Sequence, residues 1–587
     1  MLPEPSLGKP ESPSRLYHHF AKIGSSILDP KNLLLYGSTL FLLWLALSPL
    51  VMLIWGSFRS AGPGAPSAHF TFDNYIEAFT EPFIYSVMYN TLIYTVGSAA
   101  VALVIGIGLA WLVERTNIYL RNLIFVLIVV RIAVPQVMLV MSWILLLSPN
   151  IGWINKIIES LTGIAGVFDI YALGGMVWVE GIDKAPLVFL LATAAFRSLD
   201  PTFEEAALMS GARLGATLRF ITIPLILPAL AAAILLVSLS ILESFEVPTL
   251  LGLRYDLQTF SSAIYFLTNG RVETVPIAST YGIVFFLIAA IGLYFYQRVT
   301  AESKKYMTIT GKGYRPRRID MGPWRFWISG VVILFLLFAY VLPIFMLFWA
   351  SFQPFYNVPS LAALGRASLQ NYHFIFDLES TNRALRNSLL LGVSCATLIM
   401  FLTGILSWML VRTRSVLSRL VDLSIFVPIS FPGIVLAISV MWVYITLPFG
   451  FYGTIWILLI AYLTKFMPQG MRFANAASIQ VHVELEEAAR IHGASWWDTV
   501  RSVTFPLMGP GLLVGWLYVM VYAFREVSAS VLLYTTGTEV IAVNAFSLWQ
   551  NGEIGPATAI GVLIVVVLGV VVGSIRYLAS RAGVAAD

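Results

Sequence analysis

Long apolar runs recur along the whole chain and constrain its fold more than any other feature. A helix needs about 20 mostly apolar residues to cross the hydrocarbon core of a membrane, and a scan at that length finds twelve candidate spans. We therefore predict an all-α, multi-pass membrane protein with twelve transmembrane helices. The spans lie near residues 34–56, 87–113, 122–148, 174–196, 224–248, 277–298, 327–349, 385–411, 420–446, 453–477, 506–533 and 556–579.

The distribution of lysine and arginine orients these spans. Twelve crossings place both termini on one side, and basic residues concentrate in cytoplasmic loops. The side that holds the termini carries 25 of the 36 basic residues, and the opposite side carries 6. Both termini are therefore predicted to be cytoplasmic.

The two halves of the chain are copies of one unit. Asn74-Tyr75 recurs as Asn371-Tyr372 and Pro135 recurs as Pro432, at one constant spacing. Because each copy has an even number of spans, we expect two six-helix repeats related by a pseudo-two-fold axis along the membrane normal.

The repeat and its flanking segments define five predicted regions, and the basic linker is expected to be solvated and to contact anionic lipid. The regions are an N-terminal cytoplasmic tail (1–33), a first repeat (34–298), the basic cytoplasmic linker (299–326), a second repeat (327–579) and a C-terminal cytoplasmic tail (580–587).

A second duplicated motif lies in the cytoplasmic loop between the fourth and fifth spans of each half. It reads EEAALMSGARLGATLRFITIPL in the first half and EEAARIHGASWWDTVRSVTFPL in the second. The matched residues are Glu204, Glu205, Ala206, Ala207, Gly211 and Pro224 in the first copy, and Glu486, Glu487, Ala488, Ala489, Gly493 and Pro506 in the second.

The motif predicts a short docking helix. Thr202 and Glu205 have the spacing of a capping box at its start, and Gly211 can end it in a left-handed conformation. The small alanine side chains leave one face of this helix narrow enough to enter a groove in a partner protein.

With these motifs the chain resembles the fused type I permeases of binding-protein-dependent ABC importers, over core regions of about 87–298 and 385–579. The stretches SPNIGWINK, TITGKGYRPRRI, EVPTLLG and REVSASVLL are similar to the ferric-iron-type branch. The resemblance implies a bacterial inner-membrane location and a coupling role for both motif helices. It also implies ferric iron as substrate, with 2-aminoethylphosphonate, a polyamine, thiamine or a sugar phosphate as alternatives.

The resemblance also implies the partners. Two copies of an ABC ATPase would bind the cytoplasmic face and carry ATP-Mg, and one periplasmic or lipid-anchored substrate-binding protein would bind the outer face. The chain has no GxxxxGK[ST] phosphate loop, so we expect a transport subunit that is not itself an enzyme. A secondary transporter with twelve helices would explain the span count but not the two matched motifs.

Other classes of function have little support in the sequence. The single cysteine, Cys395, lies in an apolar run, and the six histidines lie outside the spans. No metal site, cofactor or catalytic residue is therefore predicted in this chain. The formal charge of +5 does not support a nucleic-acid partner.

Charged residues inside the spans are candidates for the translocation pathway, because each is costly in a membrane unless paired or hydrated. The sequence leaves two interpretations open, pathway lining and structural pairing, and five acids against four bases leave the charge of the substrate open. The candidates are Arg131, Glu180, Asp183, Glu243, Glu246, Arg525 and Glu526, with Lys184 and Lys465 as further bases.

An insertion distinguishes the first repeat from the second. The motif copies, matched at Glu205 and Glu487, lie closer together in the chain than the copies matched at Pro135 and Pro432. The first repeat therefore has extra residues between Pro135 and Glu205, and the loop 149–174 takes up the difference. We predict a short interfacial helix near Ile151 to Thr162, forming an asymmetric seat for an asymmetric partner.

Overall fold

The computed structural model describes residues 30–132, 134–200, 202–269, 272–303, 318–412 and 416–581. Helices dominate these residues, and the β-structure within them is limited to two isolated bridges, Arg59 with Phe70 and Thr116 with Ile319. Most of the predicted N-terminal tail, the centre of the linker and the last six residues lie outside the described residues. The boundaries of the five regions remain predictions.

Most helices of the first half recur in the same order in the second half, where Trp153–Thr162 has no counterpart and Leu361–Leu364 is additional. The first half contains Pro30–Ser57, Asp73–Thr80, Pro82–Arg115, Arg121–Arg131, Gln136–Leu147, Trp153–Thr162, Leu173–Ser198, Thr202–Met209, Leu214–Thr217, Ile223–Leu242, Glu246–Leu251, Phe260–Thr268 and Val275–Ser303. The second half contains Trp324–Leu336, Leu342–Ser351, Leu361–Leu364, Gln370–Asp377, Glu379–Arg412, Val416–Ile429, Gly433–Thr446, Ile455–Gln480, Val483–Ile491, Trp496–Thr499, Phe505–Phe524, Ser530–Leu533, Ile541–Gln550 and Ile554–Arg581.

Seven helices in the described part of the chain are long and apolar enough to cross a membrane. The number rises to nine if each of two bent helix pairs is one span, and these pairs bend by 106° at residues 131–136 and by 66° at residues 227–230. The multi-pass helical class is thus confirmed, whereas the arrangement of six plus six spans remains a prediction.

Two further helices occupy the positions predicted for the fourth span of each half. Leu173–Ser198 and Ile455–Gln480 are each 26 residues long, or about 39 Å at 1.5 Å per residue. Each carries charged residues in its central part, Asp183 and Lys465 among them. Their length permits a crossing, and the charge explains why they are less apolar than the other seven.

The residues pack into two units. One contains the described residues up to Ser48 together with 397–428 and 467–516, and the other contains 49–396, 429–466 and 517–581. In the larger unit, a buried core cluster joins Pro82–Arg115, which packs along Leu173–Ser198, with the first helices of the second half.

Matching hydrogen bonds show that the repeat is structural. The side-chain amide of Asn74 donates to the carbonyl of Ser57 at 2.8 Å, and that of Asn371 donates to the carbonyl of Ser351 at 3.0 Å. The tyrosine after each asparagine shares a hydrogen bond of 2.8 Å with the hydroxyl of the same serine. The same side chains therefore fix the loop after the first long helix in both halves.

The end of the linker is attached to the first repeat. The amide of Ile319 donates to the carbonyl of Arg115 at 2.9 Å, and the side chain of Asn117 donates to Asp320 at 2.6 Å. Hydrogen bonds from the Gly322 amide and from Asn117 hold the pKa of Asp320 below its ordinary value. The attached residues belong to the predicted linker, so this part of it is anchored by the first repeat.

The inserted loop contains a helix, Trp153–Thr162, close to the predicted limits. Asn155 is buried, and its side chain donates to the carbonyls of Leu147, Ser148 and Phe168 at 2.8–3.1 Å. The helix is therefore fastened to the end of the preceding span, and its place at the membrane interface remains a prediction.

Close packing between the two central helices of the first half gives a stability prediction. A Cβ added to Gly106 would lie 2.5 Å from Cβ of Val188 and 2.8 Å from the carbonyl of Ala185. Gly106→Ala must push the helices apart, so we expect a loss of about 1–3 kcal/mol in stability. The measurement is the thermal unfolding midpoint of the purified chain in detergent.

Gly108 is the matched control for this variant. It lies in the same helix, and a Cβ added there has nothing within 4 Å. Gly108→Ala should keep or raise the midpoint, because alanine is the better helix former. Equal midpoints for the two alanine variants would contradict the packing argument.

Candidate functional site

The first motif helix, Thr202–Met209, is fastened by a buried carboxylate. Glu204 is 8% exposed, and its carboxylate lies 3.4 Å from the guanidinium of Arg115. The hydroxyl of Thr222 donates to the same carboxylate at 2.7 Å. The motif helix is thereby tied to the end of the long helix before it and to the start of the helix after it.

The second motif helix, Val483–Ile491, has the same arrangement. Glu486 is 4% exposed and lies 3.1 Å from the guanidinium of Arg412. The hydroxyl of Thr504 donates to this carboxylate at 3.3 Å, and the indole of Trp408 donates to it at 2.8 Å. The second carboxylate thus has one more donor than the first.

Each arginine also holds the carbonyl that precedes its motif helix. Arg115 donates to Leu199 at 3.2 Å, and Arg412 donates to Val481, the counterpart of Leu199, at 2.7 Å. One guanidinium therefore binds both the end of the previous helix and the acid of the motif helix. We call each arginine, glutamate and threonine set a clamp.

The threonine of each clamp is delivered by an irregular turn. Thr222 and Thr504 are the last residues of two π-helical turns, Leu218–Thr222 and Val500–Thr504. Such wide turns within helices occur often at functional sites. Both repeats therefore have this π-helical turn at matching positions, as they have the clamp.

Both motif helices end as predicted. Gly211 and Gly493 each have a φ of +84°, and the amide after each glycine donates five residues back, to Ala207 at 3.0 Å and to Ala489 at 3.1 Å. This is the Schellman pattern, which needs the left-handed conformation that glycine adopts freely.

The predicted capping box at the first motif helix is wrong. Thr202 is the first helical residue, and its amide donates to the carboxylate of Asp200 at 2.9 Å. Asp200 therefore supplies the N-terminal acceptor, and the hydrogen bond from the Thr202 amide lowers its pKa. At the second helix, His482 precedes the first turn without a side-chain cap.

Each motif helix presents an exposed face with matched apolar residues. Phe203 and Met209 are 51% and 89% exposed, and their counterparts Leu485 and Ile491 are 47% and 83% exposed. The first alanine of each motif is exposed between them. Glu205 is half-buried, and Glu487, Pro224 and Pro506 are exposed.

Four of the six charged candidates of the first half form one network around the buried Glu180. Glu180 is fully buried and accepts hydrogen bonds from Tyr94 at 2.8 Å, from Gln136 at 2.7 Å and from Ser244 at 2.8 Å. Lys184 lies 3.3 Å from Glu180, as the four-residue spacing predicts. The network joins three helices and the break that ends the helix Ile223–Leu242.

Asp183 joins this network to the bend in the third predicted span. Its carboxylate is bound by Arg131 and lies 2.9 Å from Lys184. Arg131 also donates to the carbonyl of Val134 at 3.0 Å, and Val134 lies in the 106° bend between two helices, where the backbone cannot form regular helical hydrogen bonds. In lipid such groups need partners inside the protein, and Arg131 supplies one.

In the second half, Glu526 is paired with Lys465. The ammonium lies 2.8 Å from the carboxylate, and the carboxylate also accepts from the hydroxyl of Ser528 at 2.7 Å. Glu526 follows its helix by two residues, as Ser244 does in the first half. In the sequence, the Glu-Val pair at 246–247 recurs at 526–527, which suggests that Glu246 and Glu526 correspond. The helix ends show instead that Ser244 is the structural counterpart of Glu526.

Three pathway candidates have different surroundings. Arg525 donates to the carbonyl of Ile132 at 2.7 Å, and its guanidinium lies 4.1 Å from the ring of Tyr522. Glu243 and Glu246 are half-buried. Neither has a side-chain hydrogen bond or ion pair with another residue that the structure describes. The remaining acids are structurally paired, whereas these two carboxylates remain available to a ligand.

The arginine and threonine partners of the clamp glutamates could not be identified from the sequence. Arg115 and Arg412 belong to a duplicated Arg-Thr pair with the same spacing as the duplicated asparagines, but the pair marks only a repeat until the fold brings each arginine to a glutamate. Thr222 and Thr504 each lie two residues before the motif proline, but this shared position does not by itself show that they bind the glutamates. Among the described residues, no group of histidine, cysteine, aspartate and glutamate could hold a metal ion.

Part of the second half matches a known protein family. Residues 388–582 match the family of binding-protein-dependent transport system inner membrane components. The chain is 26% identical over 468 residues to the ferric transport system permease protein FbpB of Actinobacillus pleuropneumoniae, covering 78% of this chain and 66% of the relative.

Two further relatives cover more of their own length. The Fe(3+)-transport system permease protein FbpB 2 of Haemophilus influenzae is 22% identical over 501 residues, which is 84% of this chain and 90% of the relative. A putative 2-aminoethylphosphonate transport system permease protein, PhnV of Salmonella paratyphi A, is 26% identical over 43% of this chain and 95% of its own.

Solved structures also align with the chain. A bacterial ABC transporter involved in the import of the acidic polysaccharide alginate aligns with a TM-score of 0.38 and 21% identity, over 50% of this chain and 99% of its own.

The buried pair in the second half gives a prediction. Lys465→Met leaves the carboxylate of Glu526 without its cation, and breaking a buried ion pair on one side costs about 3–5 kcal/mol. We expect a large fall in the thermal unfolding midpoint of the chain in detergent. Lys465→Met combined with Glu526→Gln should recover part of it, and a double variant no more stable than the single one would contradict the pairing.

Proposed function

We propose that this chain is a fused permease of the binding-protein-dependent ABC importers and that it couples transport to a separate ATPase through its two motif helices. One observation supports this most directly: two helices, one per repeat, are fastened by the same clamp and expose the same apolar face. A surface with alternating alanine and large apolar residues fits a groove in a partner, as in other helix-in-groove complexes.

The proposed assembly has two ATPase subunits on the cytoplasmic face and one substrate-binding protein on the outer face. Two equivalent docking faces suit two identical ATPase subunits. ATP-Mg binds to those subunits in the proposal, and this chain forms the translocation pathway. Both termini are proposed to lie in the cytoplasm of a bacterium, with the chain in the inner membrane.

The charge balance supports a cationic substrate. Glu180, Asp183 and Glu526 are neutralised by bases in the described residues. Glu243 and Glu246 remain without such partners, against Arg525 as the one candidate base without an ion pair in the described residues, so the remaining charge is negative and would attract a cation. Together with the names of the first two relatives described, this balance makes ferric iron the proposed substrate.

2-Aminoethylphosphonate remains the alternative, because a shorter relative carries that name. A transport experiment separates the two. A strain without other ferric uptake is supplied with this chain, its ATPase and its binding protein, and ⁵⁵Fe(III) uptake is measured with and without excess 2-aminoethylphosphonate. Uptake of ⁵⁵Fe that the phosphonate does not reduce supports iron, and uptake only of labelled phosphonate would replace it.

The docking role predicts the effect of a charge reversal. Glu205→Lys together with Glu487→Lys places cations on both docking faces without removing a buried group. We expect loss of ATPase binding and of substrate-stimulated ATP hydrolysis, with a normal elution profile of the chain in detergent. The measurement is copurification and ATPase rate in proteoliposomes.

Glu553→Lys is the matched control. It makes the same charge change at an exposed position just before the last helix, on the predicted outer face. It should leave ATPase copurification unchanged. Unchanged stimulation in the Glu205→Lys and Glu487→Lys double variant would refute the docking role.

A further inference from the structure

We infer that Glu204 and Glu486 are positioning residues, which make each docking helix move as one body with the transmembrane scaffold. The inference rests on the proposed function, because a docking helix must be held rigidly only if it transmits motion. It assigns different roles to the two adjacent acids of each motif. The first acid faces inward and fastens the helix, and the second, Glu205 or Glu487, remains on the outside for the partner.

The geometry of each clamp connects every element around the docking helix. Arg115 lies at the end of the helix Pro82–Arg115 and binds the carbonyl of Leu199, just after the next long helix. Glu204 belongs to the docking helix itself, and Thr222 begins the helix that follows. Four elements therefore meet at one carboxylate, and the second repeat has the same arrangement through Arg412, Glu486 and Thr504.

Burial makes this connection stiff. Arg115 is 1% exposed, and Thr222 and Thr504 are inaccessible to solvent. A docking helix that turned away from the scaffold would leave a buried guanidinium and a buried carboxylate unpaired, and a buried charge that loses its partner is strongly destabilising. The docking helix and the three elements joined to it by the clamp therefore move together when the ATPase subunits move.

The two clamps are not equally strong. Trp408 donates to Glu486 at 2.8 Å. Trp111 is its counterpart in the first repeat, but the indole nitrogen of Trp111 is buried and has no hydrogen bond partner among the described residues. The second docking helix is therefore held by three side chains and the first by two, so we expect the second to be the more rigid.

A spin label on each docking helix tests the clamp without any ATPase. Ile491→Cys and Met209→Cys accept a nitroxide at sites that are 83% and 89% exposed, whereas the native Cys395 is buried. We expect the label at position 491 to be less mobile than the label at 209 in the full chain in lipid nanodiscs. In the Ile491→Cys chain, Glu486→Gln should raise the label mobility about threefold or more, because the neutral amide loses the charge-assisted bonds.

Two tryptophan variants provide the matched comparison. Trp408→Phe removes one donor from Glu486 and should raise the mobility of the label at 491. Trp111→Phe removes an indole that makes no such bond and should leave the label at 209 unchanged. An unchanged label at 491 in both Glu486→Gln and Trp408→Phe overturns the inference, and an equal rise at 209 in Trp111→Phe overturns the difference between the repeats.

The assembled transporter tests the functional consequence. Glu204→Gln and Glu486→Gln should keep both ATPase subunits bound and keep basal ATP hydrolysis within about twofold, while substrate moved per ATP falls about tenfold. Glu487→Gln changes the acid on the outside and should weaken ATPase binding while leaving the label at 491 as it is.

These readouts separate the clamp from docking. If Glu486→Gln lowers transport only because ATPase subunits dissociate, the inference is wrong and the residue belongs to the docking surface. If the label results hold but no ATPase binds the native chain, the proposed function fails and the clamp remains as a structural fastening.

Discussion

A carboxylate that is buried in a membrane protein must find its hydrogen bond donors within the chain, and this constraint shapes both repeats. Glu486 meets it with an arginine and a threonine, and Glu204 meets it with a threonine while an arginine pairs its charge. Glu180 meets it with a tyrosine, a glutamine and a serine. In each case the donors come from different helices, so satisfying one acid fixes the relative position of several elements.

The two repeats preserve this constraint at the motif helices and diverge from it within the membrane. At the motif helices the arginine, glutamate and threonine recur at fixed offsets. Within the predicted spans, the first half carries Glu180 and Asp183 on the helix Leu173–Ser198. The second half carries Lys465 on the corresponding helix, Ile455–Gln480, and its acid, Glu526, follows the helix Phe505–Phe524 by two residues. The matched part is the part proposed to face identical ATPase subunits, and the divergent part is the part proposed to face one asymmetric substrate route.

Sequence alone predicted the helical class, the duplication, the motif helices and the glycines that end them, because each depends on local pattern. Gly211 and Gly493 show this, since the motif spacing places them after the last helical turn and both adopt the left-handed conformation. The clamps could not be predicted in the same way. Arg115 and Glu204 are far apart in the chain, and only the packing of the helices between them brings the two together. Matching Glu246 with Glu526 is wrong for a related reason, because the shared Glu-Val pair does not show where the helix before each glutamate ends.

The attachment of Ile319 and Asp320 to Asn117 bears on why the two repeats share one polypeptide. The position that corresponds to Asn117 in the second repeat is Arg414, which lacks a carboxamide. The carboxamide that donates to Asp320 therefore has no equivalent at the matching position of the second repeat's sequence. The covalent fusion supplies one copy of each repeat per molecule, and this contact sets the place where the second repeat begins.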